Sequence, residues 1–272
     1  MEIQNSVVWT IGPDDIGERQ MEIDSRMAKT AVATGKVFAR LYHFTPPCIS
    51  LGHFQRDDEI DADRCWKHGI DITRRPTGGR AVLHKGDLVY SIAVPLSQSD
   101  QQNSRGLFHV GIYNRVSDAL LHGMHILRIR AGSTGNAYRE IDPDSRMPRS
   151  RLCFSTSTQH EVQIDGRKLV GGAQHKYKDV VLQHGSILTS DEHLLLADLL
   201  PGISNAERDR LRNSLKKQTI SLVEAGYKGD EAELISAMEK GFEQKFGKLE
   251  RLSNEEFLRQ LTPVHSERLV EA

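Results

Sequence analysis

Glu161-Val162-Gln163-Ile164, Asp165-Gly166 and Lys168-Leu169-Val170-Gly171-Gly172-Ala173-Gln174 set the architecture of this chain. The first segment alternates as a half-buried strand does. Asp165-Gly166 is a tight-hairpin turn, and the last segment returns beside the first. Val180 to Leu188 adds a third strand, which makes a meander. Upstream, residues 14–34 predict a helix capped by Asp14 or Asp15, with Ile16, Ile23, Met27 and Ala31 at helical spacing. Val37 to Phe44 reads as a strand broken by Pro46-Pro47, and Cys48 to Gly52 resumes extended. A short helix over 59–68 stops at Gly69. Ala81 to His84 and Leu88 to Val94 read as strands joined at Lys85-Gly86-Asp87. Residues 105–127 form the clearest amphipathic helix, and 205–217, 230–246 and 254–261 are further helices. Strands and helices without βα alternation predict an α+β fold, a mixed and largely antiparallel sheet packed on helices. The expected organisation is a catalytic core over 1–192 and a small C-terminal helical extension of the same domain over 193–272.

The 272 residues fit one large domain or one with a small appendage. Lys+Arg (36) and Asp+Glu (37) nearly cancel, so net charge gives no support to nucleic-acid binding. No apolar run approaches the ~18 residues of a membrane span. Met1 to Thr10 lacks the basic-then-apolar pattern of a secretory signal. Cys48, Cys65 and Cys153 are far apart without CxxC spacing, which suits free thiols in a reducing compartment. The expected location is the cytoplasm.

Two glycine-centred segments carry the chemistry. In Arg74-Arg75-Pro76-Thr77-Gly78-Gly79-Arg80, the bare glycines admit close approach of a ligand to the backbone. Neither GxxxxGK[ST] nor GxGxxG is present, and an ordinary Gly-Gly turn with solvated arginines is the plainer alternative. In the second segment, Gly171-Gly172 marks a strand interior open to close approach, with Lys168 beside it. A solvated strand lysine is the bland reading of Lys168. The chemical one is an ammonium that holds a phosphate or thioester carbonyl, or moves a proton.

Residues 131–158 form a long polar stretch that ends near Cys153, and loops of that length are commonly functional or disordered. Arg146, Arg149 and Arg151 precede the thiol, and nearby cations raise the thiolate fraction a nucleophile needs. Cys48 and Cys65 read as inert packing thiols. His84 and His184 end or interrupt strands near the glycine segments and read as structural polar residues. No histidine spacing supports a metal site.

Taken together, these segments resemble the lipoate–protein ligase, octanoyltransferase and biotin–protein ligase superfamily. The matching residues run from Arg74 to His84, then Tyr90-Ser91, Gly166 to Gln174, and Leu182 to Leu188. Pro46-Pro47, Ser50-Leu51-Gly52, Gln55 and Thr219 to Leu222 also fit. Cys153-Phe154, Ser157, Glu161 and Gly166-Arg167-Lys168 look like the octanoyltransferases that hold their cysteine just before the lysine strand. The resemblance implies Cys153 as acyl-thioester nucleophile and Lys168 as its catalytic partner. It places Arg74, Arg75, Thr77, Gly78, Gly79, His84, Gly171, Gly172, Ala173 and Gly185 at the substrate. Gly172 stands where the family commonly has serine, and His175 where a basic arginine is common.

The resemblance further implies a donor, octanoyl-acyl carrier protein. It implies an acceptor lysine on a lipoyl domain, such as glycine cleavage H protein or a 2-oxoacid dehydrogenase E2 subunit. No cofactor and a monomeric chain are expected. An ATP-dependent lipoate–protein ligase working through an acyl-adenylate is the main alternative. An octanoyl amidotransferase between lipoyl-domain proteins and a non-catalytic acyl or lipoyl-domain binder are the others.

Overall fold

The computed structural model describes residues 6–97, 107–133, 161–261 and 269. Its central sheet has the order β10-β11-β6-β2-β1-β12. These strands are β1 (Ser6–Ile11), β2 (Val37–Tyr42), β6 (Asp87–Pro95), β10 (Val170–Lys176), β11 (Val180–Leu188) and β12 (Lys248–Arg251). The β10-β11, β11-β6 and β6-β2 pairs are antiparallel, and β1 is parallel to both its neighbours. The expected mixed, largely antiparallel sheet is therefore present.

The strand period of two sorts side chains to two faces. Val7 and Trp9 of β1, Leu41 of β2 and Tyr90 and Ile92 of β6 join the core under α3 (Leu107–Ile126) and α5 (Glu231–Phe246). Val8, Phe38 and Ala93, one residue out of step, meet Ile23, Met27 and Ala31 of α1 (Gly17–Thr34) on the other face. Helices α3 and α5 approach through glycine: a Cβ on Gly241 would lie 2.1 Å from the Ala119 carbonyl oxygen. The segment after 193 is thus not helical throughout, since β12 pairs with β1, and α5 packs into the main core.

A smaller sheet, β4-β3-β5, comprises β3 (Cys48–Leu51), β4 (Asp71–Arg74) and β5 (Val82–His84). Ile49, Leu51 and Leu83 bury against Cys65 of α2 (Ala62–Lys67), Leu196 and Leu199 of a 3₁₀ helix, and Leu215 of α4 (Asn205–Gln218). Helix α1 does not use an aspartate cap. It starts at Gly17 after Ile16, whose N–H is taken by the Asp15 carboxylate. Gly17 is required there, because a Cβ would sit 2.5 Å from Cys48 Sγ. A third sheet, β7-β8-β9, joins β7 (Gly132–Ser133), β8 (Val162–Ile164) and β9 (Arg167–Lys168). Its hairpin turns at Asp165-Gly166, both at positive φ (49° and 76°), as their sequence predicts.

Candidate active site

The glycine strands and the smaller sheet close on one cavity of about 360 Å³, its mouth included. Met21, Tyr42, Phe44, Val82 and Val89 supply apolar walls, and Gly171, Gly172 and Ala173 supply backbone. Their β11 partners Ser186, Gly185 and His184 complete that side. Arg75, His84 and Ser50 close the opposite side.

Behind this wall run two buried polar chains. In the first, His84 Nδ1 meets Asp87 at 2.8 Å and Nε2 meets the Ser50 hydroxyl at 2.8 Å. Ser186 donates to the same Asp87 carboxylate at 2.6 Å. In the second, His184 Nδ1 meets Asp24 at 2.9 Å and Nε2 meets the Thr77 hydroxyl at 2.6 Å. Asp24 is also paired with Arg40 at 2.7 Å, both within 1% of full burial. A carboxylate only accepts, so each imidazole carries a proton on Nδ1, and on a neutral ring Nε2 accepts from the hydroxyl. Burial lowers the His184 pKa against the opposing pull of Asp24, which keeps the ring neutral.

Several residues expected at the substrate have other work. Arg74 donates to the carbonyls of Gly52, His53 and Gln55 and pairs with Asp57. Gly79 has φ 95° and its carbonyl oxygen lies 2.0 Å from where a Gly52 Cβ would be, so this glycine pair packs loop on strand. Gly78 faces open space. Arg75, His84, Gly171, Gly172, Ala173 and Gly185 do line the cavity, and Thr77 reaches it through His184.

Gly172 and Gly185 also answer to Tyr90, in the row Tyr90–Gly185–Gly172 across β6, β11 and β10. Added Cβ atoms there would come within 3.0 Å and 2.6 Å of Tyr90 Oη. At Gly185 the Gly171 carbonyl oxygen would be only 2.3 Å away, and backbone cannot yield cheaply. Gly185→Ala should therefore cost about 1–3 kcal/mol, while Gly78→Ala should change stability by less than about 0.5 kcal/mol. Denaturant titration of the two variants checks this, and equal effects would refute it.

Lys168 is not a solvated strand residue. Its Nζ lies 2.7 Å from Glu161, with side chains only 5% and 2% exposed. Main-chain bonds hold it in place: the Lys168 carbonyl accepts from Ile220 N–H, and Leu169 N–H donates to Val162. Cys153 lies outside the described residues. The other two thiols are buried, Cys48 pushed up to about 12 by burial and Asp71, Cys65 to about 11 by burial and Asp61. Neither supplies appreciable thiolate near neutrality.

The sequence reading missed Asp24 and took Asp87 for a turn residue. A signal existed: Gln20 and Asp24 fall at i, i+4 on the same helix stripe as Ile16, Ile23, Met27 and Ala31. A polar pair on an apolar stripe points to buried hydrogen bonding. Both are fully buried, and both bind Arg40.

Comparisons with known proteins agree with this architecture. The family model for the lipoyl protein ligase A/B catalytic domain matches residues 17–243. Octanoyltransferase LipM of Geobacillus kaustophilus is 36% identical over 186 residues, 68% of this chain and 66% of that protein. The chain thus spans about two thirds of the length of that curated relative. Octanoyltransferase LipM of Macrococcus caseolyticus is 35% identical, over 77% of this chain and 74% of that protein. Among solved structures, a bipartite lipoate protein ligase of Thermoplasma acidophilum superposes with TM-score 0.73 at 19% identity, covering 94% of this chain and 92% of that one. Lipoate–protein ligase A bound with ATP gives 0.70 at 19% identity, over 94% and 93%. These two structures speak to the fold. With its cavity, its glycine strands and its buried lysine in one continuous match, the chain belongs to the lipoyl protein ligase A/B catalytic-domain family.

Proposed function

We propose that this protein transfers an octanoyl group from acyl carrier protein to a specific lysine of a lipoyl domain, through a thioester on Cys153. The observation that carries the reading is the buried Lys168–Glu161 pair at 2.7 Å, at the hairpin that precedes the glycine strand of the cavity wall. The octanoyltransferase relatives support the same acyl group.

In this reading the Cys153 thiolate attacks the carrier-bound thioester carbonyl. The carrier thiol leaves, takes up a proton, and the acyl group stays on sulfur. Thioester for thioester is nearly balanced, so the exchange needs no ATP. Lys168 is the catalytic cation: its ammonium steadies the thiolate and the tetrahedral oxyanion. The acceptor is a lysine of glycine cleavage H protein or a 2-oxoacid dehydrogenase E2 subunit, and its amine must shed a proton before attack. Amide formation is downhill from the thioester and gives the reaction its direction. Arg75, Thr77, His84, Gly171, Gly172, Ala173 and Gly185 would shape the acyl site. Arg74, Gly78 and Gly79 would order the loop beside it. The proposed working form is a cytoplasmic monomer. Among the described residues, no helix is long and apolar enough to cross a membrane.

Of the three cysteines, Cys48 and Cys65 are buried and held as thiols by that burial, which supports Cys153 as the proposed acyl carrier. Incubated with octanoyl-acyl carrier protein and no ATP, the protein should gain one octanoyl mass that hydroxylamine removes. Cys153→Ala should gain none. A transfer that appears only with ATP, or a label that survives in Cys153→Ala, would overturn the reading.

A further inference from the structure

The cavity runs along one cross-strand row of the central sheet. Gly171 of β10 pairs with Ser186 of β11, Ser186 with Val89 of β6, and Val89 with Tyr42 of β2, and all four line the cavity. Three strand spacings separate the ends of that row, roughly 14 Å. At one end lies the glycine strand, which follows the Lys168 hairpin in sequence. At the other end Met21 of α1 closes on Tyr42, Phe44, Cys48 and Val89. Met21 has a second neighbour. A surface groove between α1 and the 74–76 segment is lined by Glu22, Arg26, Lys29 and Arg74, and Met21 lines it too. Among the described residues, only Met21 and Arg75 border both spaces. Arg75 is pinned by its donations to the carbonyls of Ser50, Gly78 and Arg80. The rings beside Met21 are fixed as well, Phe44 stacked on His84 at 4.3 Å and Tyr42 beneath the Arg40 guanidinium at 3.9 Å. Met21 is the adaptable part of the partition, unbranched and with three rotatable bonds. It is only 7% exposed, although Glu18 and Ser25, one turn before and after it, line the groove.

We propose that Met21 sets the acyl-chain length: the far end of the chain stops against its side chain, and a chain longer than octanoyl is turned away. The inference rests on the acyl-transfer reading, with the reacting carbonyl on the β10 side, and names the residue that selects among its substrates. A longer chain has to push Met21 off Tyr42 and Val89 or fold back inside a close-packed wall, and either is costly. Past Met21 it meets water and the charges of Glu22, Arg26 and Lys29, where added methylenes gain little. Shortening Met21 to alanine joins cavity and groove. A longer chain can then thread outward and rest its end on the aliphatic stems of Arg26 and Lys29. A bulkier side chain at the same place shortens the cavity instead.

The test compares hexanoyl-, octanoyl- and dodecanoyl-acyl carrier protein as donors. With the unaltered protein, octanoate should exceed dodecanoate by about 100-fold or more in kcat/KM, since a single misfitting methylene can be worth about 10-fold. Met21→Ala should narrow that ratio by about 10-fold or more. Met21→Phe should act in the opposite direction and lower octanoate relative to hexanoate by about 5-fold or more. It keeps the test decisive should the alanine variant fold poorly. A purely structural role for Met21 would depress all three donors alike, and unmoved ratios in the folded variants overturn the inference. Near-equal use of octanoate and dodecanoate by the unaltered protein overturns it too. Failure to transfer any of the three chains is a different result: it overturns the acyl-transfer reading, and the inference falls with it.

Discussion

Lys168→Met is expected to lower octanoyl transfer by about 10³-fold, the scale of losing a catalytic cation or proton donor. The same change should destabilise the protein by about 3–5 kcal/mol, because it removes the ammonium that lies against a nearly inaccessible Glu161. These two consequences can be separated. A buried ion pair replaced at both ends by apolar groups is often near neutral in stability, whereas removing one end strands a charge. Lys168→Met combined with Glu161→Leu should therefore recover much of the lost stability and none of the lost transfer. Lys168→Arg keeps the charge but spreads it over a planar fork, so it should preserve folding better than it preserves rate. Urea titration and the carrier-protein transfer assay, run on the same preparations, decide the matter. A Lys168→Met protein that keeps more than about a tenth of its activity would remove the lysine from the mechanism, which assigns it an effect near 10³.

The strands that could be read from sequence are those marked by alternation or by an adjoining turn. The turn at Asp165-Gly166 declares itself, since the positive φ values there suit those two residues, but the hairpin it closes joins only β8 to β9, and β10 leaves it to pair with β11 in the central sheet. Strand β1 gave no such sign: Val7, Val8 and Trp9 are buried consecutively because one face meets α3 and α5 and the other meets α1. Strand β12 was hidden differently, for in Lys248-Leu249-Glu250-Arg251 only Leu249 is buried, and its partner strand lies some 240 residues away. The site shows the same division. Lys168, Gly171 and Gly172 stand out locally. Asp24, His184 and Thr77 come from three distant segments, and only the fold makes them neighbours. Periodicity could mark Asp24 as a polar residue on an apolar stripe but could not name its partners.

That same aspartate carries the second large effect. Asp24 receives Arg40 Nε at 3.1 Å and Nη2 at 2.7 Å, His184 at 2.9 Å and the Tyr42 hydroxyl at 3.4 Å. Asp24→Ala would leave the Arg40 guanidinium, 1% exposed, with Gln20 and the Tyr42 ring but no counter-charge. The expected cost is about 3–5 kcal/mol, or roughly 10 °C in melting temperature for a chain of this size. Its sign with pH follows from the ionisations. Burial alone would raise the Asp24 pKa, but Arg40 and His184 outweigh it and hold the carboxyl below its usual range. Its stabilisation is therefore present above an unfolded pKa near 3.9 and disappears as pH falls through the lower folded value. His184 and His193 work in a higher window. Burial depresses both, so below about pH 6.5 the unfolded chain binds protons that the folded one refuses. Stability should fall from there by up to about 1.4 kcal/mol per pH unit for each imidazole. The unaltered protein should thus lose stability in two stages, the first beginning near pH 6.5 and the second near pH 4. Asp24→Ala should lose the second stage's contribution from this carboxylate and start from a lower value at pH 7. Urea unfolding at half-unit steps from about pH 7.5 to about pH 2 measures both. A stability that stays level between pH 7 and pH 5 would mean that these imidazoles are accessible to protons in the folded protein, contrary to their burial.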